Sequence, residues 1–237
     1  VIDARLNTMI ENAAGVRLST IEHLMAAFAA LGVSNAVVEV DGPELPILDG
    51  SALPFVQLLD RAGFRGQDAF RRVIEIVEPI RVQEGDKSAA LLPCDRYEMR
   101  FEIDFPTPVI GNQVVDFVVD ERTFRDEIMA ARTFGFAHEV EALRQAGLAR
   151  GGSLENAVVI DGDVILNPGG LRMEREFVRH KALDAIGDLY VLGAPLLGRY
   201  EGVKAGHALN NQLVRALLAN PQAWRVVTRA PELALAS

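Results

Sequence analysis

Glu98-Met-Arg-Phe-Glu-Ile-Asp-Phe105 sets Met99, Phe101, Ile103 and Phe105 alternately against Glu98, Arg100, Glu102 and Asp104. A period of two puts the apolar groups on one face of a strand and the charges on the other, the signature of a half-buried strand. Around it the chain reads mostly as further strands, at Val73–Val77, Ile80–Gln83, Ala89–Leu92, Tyr97–Phe105 and Val114–Val119. Beyond them the period lengthens. Helices are predicted at Arg122–Ala131 and Glu139–Ala146, then a strand at Ala157–Ile160 with a reversal at Asp161-Gly-Asp163. A long helix over 174–192 and another over Ala208–Ala219, stopped before Pro221, complete this part. Helices grouped after strands predict an α+β fold rather than a doubly wound parallel sheet.

Upstream, Ser19-Thr-Ile-Glu-His-Leu-Met-Ala-Ala-Phe-Ala-Ala-Leu31 carries apolar groups at 21, 24, 28 and 31, the spacing of an amphipathic helix, and Ser19 with Glu22 fits a capping box. Ala36–Val40 alternates as a strand ending at Asp41-Gly-Pro43, and Leu45–Ser51 reads as a second short strand. Pro54–Ala62 is a further helix, closed by Gly63. Phe64–Arg72 lacks periodicity and is the candidate linker.

The composition sets limits on function. With 24 Lys+Arg against 33 Asp+Glu, the net charge of -9 disfavours a general binder of nucleic acid or of anionic membranes. The single Cys94 can form no internal disulfide, and no cysteine cluster offers a structural zinc site, so a reducing, cytoplasmic setting is expected and any metal must be held by His and carboxylate. No apolar run approaches the roughly 20 residues that span a bilayer, and no stretch resembles a signal peptide. The chain opens Val-Ile-Asp-Ala without an initiator Met, so a leader, a tag or a preceding stretch of domain is expected to be missing.

The chemistry is concentrated in Glu176-Phe-Val-Arg-His-Lys-Ala-Leu-Asp-Ala-Ile-Gly-Asp-Leu189. His180, Asp184 and Asp188 are spaced four apart and share one helical face. Imidazole and carboxylate one turn apart suit a divalent metal, although the same spacing also serves a solvated helical ion pair. A catalytic zinc commonly takes three protein ligands and leaves one position open, so a third ligand must come from elsewhere. Of the four histidines, His23, His180 and His207 each stand beside a polar partner suited to catalysis, and His138 does not. Joined, His23, His180 and Asp184 make a His₂Asp set. Glu22, next to a ligand, could take the proton of water activated there, and His207 is left as the acid. Lys181 with a neighbouring hydroxyl could stabilise an oxyanion. Local sequence also permits Glu22 as a mere cap and His207 as a helix-start residue satisfied by backbone. Metal-assisted hydrolysis of an amide or ester is the expectation.

Five motifs, in order, carry a resemblance over nearly the whole chain. They are Ser19-Thr-Ile-Glu-His23, Glu39-Val-Asp-Gly-Pro-Glu-Leu-Pro-Ile-Leu-Asp-Gly-Ser-Ala52, Ala131-Arg-Thr-Phe-Gly-Phe136, His180-Lys-Ala-Leu-Asp-Ala-Ile-Gly-Asp188 and Gly206-His-Ala-Leu-Asn210. Together they resemble the zinc-dependent UDP-3-O-acyl-N-acetylglucosamine deacetylase family of lipid A biosynthesis in Gram-negative bacteria. The resemblance implies two similar α+β domains, each a sheet layered with helices, meeting at the active site. Residues 1–66 would be the remainder of a first domain whose opening strands precede the stretch matching Ala4–Met9. Residues 67–237 would be the second domain, with an acyl-chain insert around 134–160.

It also implies roles. His23, His180 and Asp184 match the Zn²⁺ ligands, Glu22 the general base, His207 the acid that protonates the leaving amine, and Asp188 the carboxylate that orients it. Lys181 and Thr133 match the groups that stabilise the oxyanion. Lys87, Asp104, Phe105 and Lys204 match positions near the UDP group, where ammonium groups answer the pyrophosphate and Phe105 offers a stacking face for uracil. Phe134, Phe136 and Gly151-Gly152-Ser153-Leu-Glu-Asn-Ala157 match the region that builds a passage for the acyl chain. Each methylene buried in such a passage contributes roughly 0.8 kcal/mol. The expected partner is an acylated UDP-sugar, met by transient membrane-surface contact, with no nucleic acid and with a monomeric enzyme. The rival readings are a metal hydrolase acting on another acylated amine and a non-catalytic nucleotide-sugar binding protein.

Overall fold

The structure is a computed structural model, and it describes residues 1–139 and 151–229. The strand pattern around Met99 becomes β6 (Tyr97–Asp104), an interior strand of a seven-stranded sheet completed by β3 (Arg71–Ile76), β4 (Ile80–Glu84), β5 (Lys87–Leu92), β7 (Asn112–Val118), β11 (Leu196–Val203) and β12 (Trp224–Arg229). Met99, Phe101 and Ile103 are buried together with Leu91 of β5 and Tyr200 of β11. The alternate residues form a charge ladder on the other face, where Arg199 pairs with Glu98, Asp116 and Glu201. One covered face and one wet face is the arrangement the alternation predicts.

The long strand β11 is the sheet's spine. It runs parallel to β6 over Gly198–Val203, antiparallel to β5 over Arg199–Val203, and parallel to β3 at Leu196 and Leu197. The neighbour on one edge therefore changes at Gly198, where a Cβ would lie 2.6 Å from Ile76 Cγ1 and 3.1 Å from the Leu92 carbonyl oxygen. A glycine is needed for three strands to approach that closely.

Helices α4 (Glu176–Tyr190) and α5 (His207–Ala219) match the predicted helices, and α1 (Glu22–Ala30) packs against α4. Ala26, Ala27 and Ala30 on α1 and Ala182 and Ala185 on α4 are buried, and Gly187 admits the closest approach: a Cβ there would stand 2.0 Å from the Glu22 carbonyl oxygen. Small residues let the two backbones nearly touch. Helix α2 (Leu53–Ala62) ends at Gly63, φ 75°, as predicted. Residues Glu121–Thr123 open a helix, α3, capped by the Asp120 side chain, and Phe124–Ile128 continue it as a π-helical turn closed by Met129 N–H to Phe124 C=O. A three-stranded sheet sets β8 (Phe134–Phe136) parallel to β9 (Val158–Asp161), which turns through Gly162 into β10 (Val164–Ile165). A two-residue hairpin, β1 (Ile10–Glu11) with β2 (Arg17–Leu18), precedes α1.

The α+β class is borne out, and three local expectations are corrected. No Ser19–Glu22 capping box forms: α1 has Ile21 at its N-cap without a side-chain bond. Ser19 is instead bridged to Glu44, Thr20 turns the chain at φ 58°, and the Glu22 carboxylate is drawn inward to the Thr8 N–H. Ala36–Val40 is not a strand, for Val37 is 92% exposed and no strand among the described residues lies beside it. Leu45–Ser51 holds only the start of a pairing, the bond from Leu45 N–H to Ser19 C=O, before Leu48 (φ 54°) and an Asp49–Ser51 turn divert the chain. The helix expected over Glu139–Ala146 falls, but for Glu139, outside the described residues.

Candidate metal centre

Three side chains from two helices meet at one point. His23 from α1, His180 and Asp184 from α4 are all buried, and each offers a ligand atom within 4.8 Å of the others. His23 Nε2 and His180 Nε2 lie 3.5 and 3.3 Å from the same oxygen, Asp184 Oδ1, and the two rings meet edge to face. Helical spacing brings His180 and Asp184 together, and the close approach at Gly187 delivers His23.

The donor set fits a metal on this geometry. His180 Nδ1 lies 3.0 Å from the Ala131 carbonyl, which can only accept, so Nδ1 carries the proton and Nε2 turns a lone pair toward Asp184 Oδ1. Burial pushes His180 down to about 4, so the ring is neutral near pH 7. Asp184 Oδ1 is buried without a hydrogen-bond partner. Burial alone would raise Asp184, but His180 and the Lys181 ammonium beside it hold it well below the usual carboxylate range. A lone pair facing an anionic oxygen at 3.3 Å needs a cation between them.

Proton-carrying groups flank this point on both sides. Glu22 is buried, its Oε2 accepts from the Thr8 N–H at 3.1 Å, and burial raises its pKa against the pull of His207 and His23. His207, at the start of α5, faces α4. Its Nδ1 lies 2.9 Å from Asp188 Oδ2, and its Nε2 lies 3.9 Å from Asp184 Oδ2. Burial would lower His207, yet Asp188 overrides it and raises the ring to about 9, which keeps it charged near neutrality. Lys181 Nζ lies 3.1 Å from Asp184 Oδ2 and 5.7 Å from the centre of the Phe134 ring. Thr133 is two residues beyond Ala131, its N–H bonded to the Gly50 carbonyl.

The remaining predicted residues fall in two groups joined by one side chain. Lys204, itself at φ 51°, pairs with Asp104 at 2.9 Å and Asp86 at 3.0 Å, and Lys87 is exposed beside Asp86 at the start of β5. Phe105 follows Asp104 but packs at 5.7 Å on Phe134 and at 6.0 Å on Phe136, so it belongs to the aromatic cluster while standing next to the charged one. Phe134 in turn packs on Phe177 of α4. In the loop holding Gly152, Ser153 and Ala157, Asn156 caps the Ser153 N–H, and the Asn156 carbonyl abuts Gly50, where a Cβ would meet it at 2.0 Å. Residues 140–150 of the expected insert lie outside the described residues.

Sequence reading gave no role to several residues that hold this site. Asn210, one helical turn after His207, donates to Asp188 Oδ2 at 2.8 Å, and its own oxygen accepts from Tyr200 at 2.6 Å. Its i+3 spacing from His207 was the available signal. Glu176, fully buried, grips Arg132 through Nε at 2.7 Å and Nη2 at 3.1 Å, and accepts from the N–H groups of Arg132 and Arg172. Nothing local marks a pair 44 positions apart.

Two imidazoles and a carboxylate around one point, between a buried carboxyl and a charged histidine, define a candidate mononuclear metal hydrolase on an α+β scaffold. Comparison with known proteins narrows that class. Residues 1–219 match the family model described as UDP-3-O-acyl N-acetylglycosamine deacetylase. The protein named UDP-3-O-acyl-N-acetylglucosamine deacetylase in Phenylobacterium zucineum (strain HLK1) is 67% identical over 234 residues, 99% of this chain and 80% of that one. Proteins of the same name in Shewanella frigidimarina (strain NCIMB 400) and Shewanella oneidensis are 52% and 53% identical over 230 residues, 96% of this chain and 75% of each. The chain belongs to the UDP-3-O-acyl N-acetylglycosamine deacetylase family.

Proposed function

We propose that this chain is a zinc-dependent amidohydrolase that converts UDP-3-O-acyl-N-acetylglucosamine to the free amine and acetate, the committed step of lipid A biosynthesis. The observation that carries this reading is the convergence of His23, His180 and Asp184 on one point, in a chain whose family bears that name. Zinc, when bound, supplies a Lewis acid that polarises the carbonyl and acidifies water.

The chain's own residues manage the protons. Glu22 takes a proton from the attacking water as its oxygen forms a bond to the acetamide carbon. The Lys181 ammonium and Thr133 stabilise the oxyanion that develops as the C=O bond opens. His207, charged and held by Asp188, then protonates the nitrogen as the C–N bond breaks. Acetate and the 2-amino sugar nucleotide leave. A raised Glu22 is well matched to the task, since a base is most effective when its pKa approaches the working pH.

For recognition, Lys204, Asp104 and Lys87 serve the UDP end, and Phe134, Phe136, Gly152, Ser153 and Ala157 serve the acyl chain. Phe105 stands between the two groups, with its contacts on the acyl side. Residues 1–66 and 67–237 are read as the two domains, with 134–160 as the insert. No helix among the described residues is long and apolar enough to cross a membrane. A cytoplasmic monomer that reaches its lipid-tailed substrate through transient surface contact suits that finding.

The test is acetate release from the acylated UDP-sugar with and without a zinc chelator, followed by zinc restoration. Loss on chelation and recovery on restoration are expected. Full turnover by metal-free protein would reject the reading, and zinc-loaded protein that binds the nucleotide sugar without releasing acetate would leave only a binding protein.

A further inference from the structure

Thr8 lies in Leu6-Asn7-Thr8-Met9, a stretch with no catalytic signature, yet it is 2% exposed. A buried hydroxyl and its backbone groups need partners, and all three polar groups of Thr8 find them around the metal centre. The hydroxyl lies 2.6 Å from Asp188 Oδ1, and it must donate, because an ionised carboxylate can only accept. The Thr8 N–H donates to Glu22 Oε2 at 3.1 Å, and the Thr8 carbonyl accepts from the Ile21 N–H at 3.4 Å, at the entry to α1. The stretch is itself anchored by reciprocal backbone bonds, Ile2 N–H to Met9 C=O and Met9 N–H to Asp3 C=O.

Asp188 is thereby bonded from three directions. Oδ1 takes the Thr8 hydroxyl, and Oδ2 takes the Asn210 amide at 2.8 Å and His207 Nδ1 at 2.9 Å. Asn210 is oriented by Tyr200 and sits on the same helix as His207, so neither Asn210 nor His207 joins Asp188 to the other side of the site. Thr8 does. We propose that Thr8 is a positioning residue that ties the two halves of the proton path together, its N–H aiming the Glu22 carboxylate and its hydroxyl fixing Asp188 and, through it, the His207 imidazole. The proposal rests on the deacetylase reading of the site.

Thr8→Val keeps the volume and the backbone bonds and removes only the hydroxyl. In zinc-loaded protein kcat should fall about tenfold, the scale of one charge-assisted hydrogen bond, with KM and zinc content unchanged. Thr8→Ser should restore most of the rate. Because Thr8 acts through Asp188, adding Thr8→Val to Asp188→Asn should cost little beyond Asp188→Asn alone. A Thr8→Val protein with wild-type kcat per folded molecule, or full multiplication of the two losses, would overturn the proposal. If the wild type releases no acetate, the reaction assignment fails, and the His207 Nδ1–H proton resonance decides about Thr8. It should shift and broaden in Thr8→Val, and an unmoved resonance refutes the positioning role.

Discussion

A single carboxyl, Glu22, shows how burial tunes a residue against its neighbours. Burial raises its pKa, while two histidines pull it down, two other carboxylates push it up, and no cation among the described residues pairs with it directly. Replacing it with Ala should leave zinc bound, because no ligand is touched, and lower turnover about a hundredfold or more, the scale of general-base loss. Metal content measured beside initial rates checks both halves, and an unchanged rate removes Glu22 from the chemistry. Asp184→Ala should behave oppositely. It deletes the oxygen shared by both imidazoles, so zinc should be lost on dialysis, and a variant that retains a full equivalent disproves the ligand role. His207 adds a pH signature in the metal-free protein. Its folded pKa of about 9 lies above the ordinary 6.5, so between these values the native state holds a proton that the unfolded chain has released. The contribution is complete below pH 6.5, falls as pH rises through the interval, and is gone above 9, at most about 3 kcal/mol. Urea midpoints across that range should drop for the wild type and drop less for His207→Gln; parallel slopes would contradict the assignment.

Helix α4 places His180, Lys181, Asp184 and Asp188, and its crossing with α1 places Glu22 and His23. At Gly187 two effects compete. Alanine is the better helix former by about 1 kcal/mol, yet its Cβ would stand 2.0 Å from a backbone oxygen of Glu22, which cannot swing aside as a side chain could. The clash wins, since forced overpacking costs about 1–3 kcal/mol or more and here displaces Glu22 and His23, the proposed base and ligand. Gly187→Ala should lower both the denaturation midpoint and zinc affinity, whereas a more stable variant with intact metal binding would show that α1 does not pack as described. This element was legible because its chemistry is local: His180 and Asp184 share a face by spacing alone. The spine strand β11 was not, because Gly198, Arg199, Glu201 and Gly202 dilute its apolar signal, and those residues exist for strand approach and for the charge ladder. Ala36–Val40 fails for the converse reason. Alternation specifies which face would be buried but not whether a partner strand lies alongside, and Val37 stands exposed. Long-range partners such as Thr8 with Asp188 leave no mark within a window of sequence.

Across the whole molecule, the site depends on fixing segments that no regular element holds. Residues 131–133 supply the carbonyl that orients His180 and the Thr133 of the proposed oxyanion pair, and they lie between a π-helical turn and a three-residue strand. What secures them is Glu176 at the start of α4. Its carboxylate takes Arg132 through the guanidinium and the backbone N–H and also takes the Arg172 N–H, while the same guanidinium donates to the Gly170 carbonyl. Two pieces of chain, 131–133 and 170–172, are thus referenced to the helix that bears two of the proposed metal ligands. Glu176 is fully buried, so its charge is tolerable only with this complete set of partners. Glu176→Gln keeps the shape but removes the charge and turns one acceptor into a donor facing the guanidinium. Breaking one partner of a buried pair costs about 3–5 kcal/mol. The loss should appear as a lower unfolding midpoint together with weaker zinc retention, because Ala131 can no longer be held against His180. Glu176→Gln with unchanged stability and zinc affinity would mean that the 131–133 segment is positioned from its β8 side instead, through Val158 N–H to Thr133 C=O. Arg132→Met separates charge from packing. It also leaves a buried carboxylate unpaired, so it should lower the unfolding midpoint at pH 7, and an unchanged midpoint would show that this ion pair does not secure the segment.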